Sequence, residues 1–271
     1  MTTARVARRS LRIVQAIMGA VVCGALSLGV AHQPAWASIT VDGLLGDWGV
    51  TPGPYAAGPS QWTPNAGISF IQEDQNPAVS FLNPGFGGQQ FDVEAIYFTQ
   101  QNSTAYFAVV SGFPLRTVSG YTPGDFAIDF GSNGSYDFGV KTVGTHTLYG
   151  SPTWSNPGLF PASGPSAVTS GTAKGVVQFG YQDSAYSANG HYAFEIGIPK
   201  SLFGSYWPTS GVLDMTLHWT MSCGNDELDL HVHQTIPPTI PEPSDFLLFG
   251  CGLLALAGLS WQSRLFRLVP R

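Results

Sequence analysis

Charge is scarce in this sequence. Lys, Arg, Asp and Glu together make up only 10% of 271 residues, against roughly 25% in an ordinary soluble domain. Positive charge is nearly missing from the middle. Residues 42–245 hold all seventeen acidic residues and only Arg116, Lys141, Lys174 and Lys200, a balance of −13. A nucleic-acid partner, which needs a basic patch, is excluded as an expectation. Three cysteines are too few for a disulfide scaffold. There is no GxSxG elbow, phosphate-binding loop, HExxH helix or dinucleotide fingerprint. The middle of the chain also lacks sustained helical periodicity and internal repeats. What it has is a hydrophobic fraction of 44%, enough for a core, with 33 Gly and 20 Pro as punctuation.

The missing positive charge sits at the two ends, beside apolar runs. Arg5, Arg8, Arg9 and Arg12 precede an apolar stretch, residues 13–30, and Ala35-Trp36-Ala37 supplies a small-x-small cleavage site before Ser38. That order is the plan of a secretory signal peptide, residues 1–37. At the other end, residues 235–245 read TIPPTIPEPSD, an extended Pro-rich linker. The uncharged run FLLFGCGLLALAGLSW, residues 246–261, follows, and a transmembrane segment is expected over 246–263. Arg264, Arg267 and Arg271 in the last stretch, 264–271, would keep that end in the cytoplasm.

Pro241-Glu242-Pro243, the apolar Gly/Leu/Ala run and the terminal arginines, in that order at this end of a chain, resemble the PEP-CTERM sorting signal of Gram-negative bacteria. The resemblance implies recognition of Pro241, Glu242 and Pro243 by a membrane-embedded exosortase and processing near the tripeptide. Delivery from the inner membrane to the cell surface, outer membrane or exopolysaccharide matrix would follow.

Between the signals, residues 38–234 alternate short β-branched and aromatic runs with Gly, Pro, Asn and Ser clusters. Strands are expected over 91–99, 105–110, 125–130, 136–142, 146–149, 176–181, 191–198, 213–222 and 228–234, with long surface loops over 53–64 and 151–171. The fold class expected is all-β, an antiparallel β-sandwich of jelly-roll-like type, flanked by the signal helix and the transmembrane helix. Ile39-Thr40-Val41-Asp42-Gly43 with Asp47-Trp48, and later Phe194-Glu195-Ile196-Gly197-Ile198-Pro199, are similar to the opening "DG…DW" and late "E-x-x-I-P" motifs of family 9 carbohydrate-binding modules. His218 to Asp226, HWTMSCGND, resembles a phrase that recurs just upstream of the tail in PEP-CTERM cargo proteins.

Candidate sites follow from residue types. Asp129, Asn133, Ser135 and Asp137 in DFGSNGSYD offer alternate oxygens of a calcium loop, with calcium the one candidate cation and no cofactor required. Gly131 stands where a ligand is expected, and Val140 where a bidentate Glu would stand, so a hairpin closed by an Asn133-Gly134 type I′ turn is the competing reading. Asp229, His231 and His233 alternate with Leu228, Leu230 and Val232, placing a polar row on one strand face, as a solvent face or a metal site. Trp62 and Trp154, in expected loops, are the candidate sugar-stacking rings, whereas Trp219 belongs to an expected core strand. Cys223 would be the one cysteine left after processing, expected as a buried or unpaired structural residue, with an intermolecular disulfide the alternative. The function expected is a non-catalytic carbohydrate-binding or structural role in the exopolysaccharide layer. An extracellular enzyme acting on polysaccharide, or a haem-binding sandwich with Met215, Met221 or a histidine as axial ligand, are the alternatives.

Overall fold

The structure is a computed structural model that describes residues 38–54, 59–72, 87–238 and 252. The chain divides at Ser38 into two compact units, and the account that follows concerns the second, Ile39–Arg271. The expected signal peptide, Pro241, Glu242, Pro243, the apolar run apart from Gly252, and Arg264, Arg267 and Arg271 lie outside the described residues. Among the described residues no helix is long and apolar enough to cross a membrane.

Two antiparallel sheets make a β-sandwich. The first has the order β1 (Ser69–Gln72), β2 (Val93–Gln101), β3 (Thr104–Ser111), β9 (Tyr192–Pro199), β8 (Gln178–Gly180). The second has the order β11 (Glu227–Ile236), β10 (Gly211–Thr220), β4 (Phe126–Phe130), β5 (Phe138–Val140), β6 (Thr147–Ser155), β7 (Ala167–Val176). Period-two alternation decides which side chains enter the core. Along β10, Leu213, Met215, Leu217 and Trp219 point inward, and along β11 so do Leu228, Leu230 and Val232. They meet Ile96, Phe98, Phe107, Val109, Phe194, Ile196 and Ile198 of the first sheet in one apolar cluster.

The first sheet is covered on its other face as well. There Ala95, Ala108 and Ala193 are short, and the segment 39–68 lays Leu45, Trp48, Val50 and Trp62 onto them as a second apolar cluster. Small residues in the sheet provide the height that two indoles need. The Tyr97 hydroxyl donates to the Trp62 carbonyl at 2.8 Å, fixing this layer at its centre.

A single carboxylate ties the layer down at Glu195 of β9. Its Oε1 accepts from Trp48 Nε1 at 2.6 Å, and its Oε2 from the backbone N–H groups of Gly43 (2.6 Å) and Asp42 (3.2 Å). The two motifs similar to the carbohydrate-module pattern are thus bonded to each other across about 150 residues of chain. Burial outweighs these bonds and pushes the Glu195 carboxyl up to about 7.

A second tie, Asp125, sits at the start of β4. It accepts from Thr142 N and Val168 N, each at 2.8 Å, so the ends of β5 and β7 are pinned to one side chain. Burial raises its carboxyl to about 6. At a third place the Ile39 N–H donates to Gln101 Oε1 (3.1 Å), while the neighbouring Gln100 side chain bonds Gln234 of β11 (3.3 Å).

The structure departs from the sequence expectation in several places, and β1 falls where no strand is expected. The segment 151–171 is not one loop: β6 runs to Ser155 and β7 begins at Ala167, paired through register shifts at Gly150, Thr153 and Trp154. Gly, Pro and Ser at these bulges hid the strands. The segment 53–64 contains a short 3-10 helix, Pro59–Trp62, that ends inside the apolar layer. The β4–β5 connection is a seven-residue loop, 131–137, with positive φ at Gly131, Ser132 and Gly134 but not at Asn133, so the Asn133-Gly134 type I′ turn does not form.

Candidate functional site

The second sheet turns a polar face outward, and most of the chemistry-bearing residues collect there. Register places Asp129 of β4 opposite Thr216 of β10, Thr216 opposite His231 of β11, and His218 opposite Asp229. His218 Nδ1 donates to Asp229 Oδ1 at 2.7 Å. With His231 Nδ1 as donor, a chain runs through Thr216 Oγ1 (2.8 Å) and Ser132 Oγ (3.0 Å) to Asp214 Oδ1 (3.1 Å).

Aromatic rings complete this face. Tyr136, at the end of the β4–β5 loop, packs against His218 at 5.5 Å between ring centroids and against Trp154 at 6.1 Å. Trp154 reaches that position because Gly139 of β5 has no side chain. A Cβ there would lie 2.6 Å from Trp154 Cη2. Burial, reinforced by Asp229, Asp129 and Glu227, pushes the Tyr136 phenol far above its ordinary range, so it acts as a neutral hydroxyl.

The far edge of His218 is roofed by the loop between β6 and β7. A Cβ on Gly164 would stand 2.9 Å from both His218 Cε1 and Nε2, and Gly164 has φ +76. That loop is held by the phrase 218–226. Ser222 O accepts from Gly158 N (2.9 Å), Cys223 O from Phe160 N (3.1 Å), and Gly224 O from Ser163 Oγ (2.7 Å). Asp226 Oδ2 meanwhile accepts from Val93 N of the first sheet at 2.6 Å. The segment 218–226 therefore joins the two sheets and sets the roof of the site.

Among the described residues, three buried polar atoms on this face have no hydrogen-bond partner: Asp129 Oδ1, His218 Nε2 and Trp154 Nε1. Buried polar atoms are nearly always paired, so a run of unpaired ones on one face marks a place where a polar ligand or water is accommodated.

The sequence candidates fall as follows. Trp154 is at the site, half-buried, but in β6 rather than a loop. Trp62 is withdrawn as a stacking ring: it is fully buried, edge-on to His191 at 5.0 Å, and offers no face to solvent. In the loop expected to bind calcium, three of the side-chain oxygens accept backbone N–H groups of the same hairpin. Asp129 Oδ2 accepts from Gly134 N (2.6 Å), Asn133 Oδ1 from Ser135 N (2.9 Å), and Asp137 Oδ2 from Phe130 N (2.9 Å). Asp229, His231 and His233 share the outer face, yet among the described residues no three His, Cys, Asp or Glu side chains converge to hold a metal ion. Cys223 is a buried free thiol, raised by burial. Met215 and Met221 are packed within the core. Tyr136 and His218 were missed as site residues, although Tyr136 adjoins the flagged Asp137 and His218 opens the recurring phrase. Comparison with family models, curated proteins and solved structures finds no match for the chain.

Proposed function

We propose that this is an exported, exosortase-sorted protein whose β-sandwich binds glycan without catalysis at the outer face of the second sheet. The observation that carries the binding reading is the contiguous set Trp154, Tyr136, His218 and Asp229, two rings beside a polar pair. Aromatic faces cover the apolar faces of sugar rings, while neighbouring carboxylates and hydroxyls take the sugar hydroxyls. The linkage of Asp42-Gly43 and Trp48 to Glu195 supports kinship with the carbohydrate-module pattern and, with it, a jelly-roll-like assignment. Export rests on the residues of 1–37, and sorting to the surface, outer membrane or matrix rests on Pro241, Glu242, Pro243, the apolar segment and Arg264, Arg267 and Arg271. The exosortase and the secretion machinery are the partners of that stage, and the membrane holds the C-terminal helix before processing.

The test is a pull-down of the full chain, or its mature exported form, on insoluble polysaccharides. Retention should fall at least tenfold in Trp154→Ala and in Tyr136→Ala, with circular dichroism unchanged. Equal retention of wild type and both variants, or none by any, defeats the proposal.

A further inference from the structure

We infer that the ligand of this face is an amine-bearing sugar, recognised by its ammonium groups, a specificity that rests on the glycan-binding reading above. The charges acting on Tyr136 are all carboxylates: Asp229, Asp129 and Glu227. Asp229 is the reachable one, with 44% of its side chain exposed. Glu227, on the same face of β11, is half-buried and lies in the field of His218 and Asp229. Asp214 lies further along β10.

Among the described residues no lysine or arginine forms an ion pair with this set. Lys141, just after β5, lies on this outer face over the Tyr149 ring at 5.9 Å and acts on Asp125, and Lys174 of β7 has its Cε against Gly150. Arg116 pairs with Asp183 at 3.0 Å, and Lys200 lies over Trp207 at 5.3 Å. Among the described residues the basic groups bonded to this set are histidines: His218 donates to Asp229, His231 bonds Thr216, and His233 stands 3.9 Å from Asp214.

The acidic set alone would be a solvated face. Two further observations point to a ligand. Asp129 is 2% exposed, yet among the described residues its Oδ1 has no hydrogen-bond partner. Beside it stand two aromatic rings, and a carboxylate next to an aromatic face is the arrangement that attracts an ammonium, through ion pairing on one side and the ring quadrupole on the other. A uronate polymer meets the opposite situation, since its carboxylates would approach a domain, residues 38–234, of −11 and, among the described residues, the carboxylates Asp229, Asp129 and Glu227 around Tyr136.

Isothermal titration of the full chain with three tetramers separates the outcomes: glucosamine, N-acetylglucosamine and galacturonate. The first two differ in the amine charge, and all are run at ~150 mM salt, where attraction beyond about 8 Å is screened. The glucosamine tetramer should bind about tenfold tighter than its acetylated form, and the galacturonate tetramer should not bind. Asp229→Asn should remove most of that preference, whereas Asp183→Asn, which removes one negative charge equally at an exposed position paired with Arg116, should leave it intact. Trp154→Ala should abolish binding of both the amine and the acetylated form.

Equal affinity for the first two tetramers, tighter binding of galacturonate, or equal effects of Asp229→Asn and Asp183→Asn overturns the amine specificity while leaving glycan binding standing. No heat with any tetramer, together with no retention in the pull-down, removes both.

Discussion

Glu195 shows how one side chain can set the pH response of the whole domain. Its folded carboxyl lies at about 7 against an ordinary 4.5, so the folded state holds the proton more tightly than the unfolded chain. Stability is therefore greatest below about 4.5 for this group, falls as pH rises through the interval to 7, and is fully reduced above it. The shift corresponds to about 3 kcal/mol. Thermal melts should show Tm declining between those pH values. Glu195→Gln should flatten that decline, while costing about 1–3 kcal/mol at neutral pH because its amide faces either the Trp48 indole N–H or the Gly43 and Asp42 N–H groups. A steeper decline in the variant would show that another carboxyl governs the interval. Asp125, raised to about 6, adds to the wild-type slope in the same direction.

At the scale of elements, the roof over the site depends on one backbone position. Gly164 has φ +76 and presses on His218, so Gly164→Ala meets both a disfavoured backbone conformation and a ring at 2.9 Å. A loss of about 1–3 kcal/mol is expected, together with weakened glycan binding, because lifting the 156–166 loop shifts His218 and, through it, Tyr136. Denaturant unfolding and titration on the same variant check the two parts separately. If stability falls and binding does not, the roof is structural only.

Legibility in the sequence divides along the same line. Strands whose inward residues alternate cleanly, such as β10 and β11, stand out in the sequence nearly to their ends, because period two is a local property. β7, with AVTSGTAKGV and most of its residues exposed, carries no apolar alternation and reads as loop. β1 lies in a short stretch, SFIQ, that only its pairing with β2 makes a strand. Trp62 reads as a loop residue because Pro and Gly surround it, while its burial comes from alanines on β2, β3 and β9 far along the chain. At the site, the acidic loop and Trp154 are visible in the sequence, but their meeting with Tyr136 and His218 is not. That meeting is created by strand register across β4, β5, β6 and β10, which no local pattern encodes.

For the whole molecule, the charge distribution and the architecture make one object with two dissimilar broad sides. The first sheet carries an extra apolar layer, and the second exposes its polar face. On the sorting proposal, intact mass measurement of the protein recovered from its native surface should give a chain that begins near Ser38 and ends near Pro241–Pro243. A mass that includes residues 246–271 would contradict processing. The bonds of Ile39 to Gln101 and of Gln234 to the adjacent Gln100 bear on that mature form. They bring the first and last parts of the sandwich to one corner, so entry and exit share a single pole. A bulky tag at the new amino terminus would stand at the same end of β2 as the linker, on the opposite face of the first sheet.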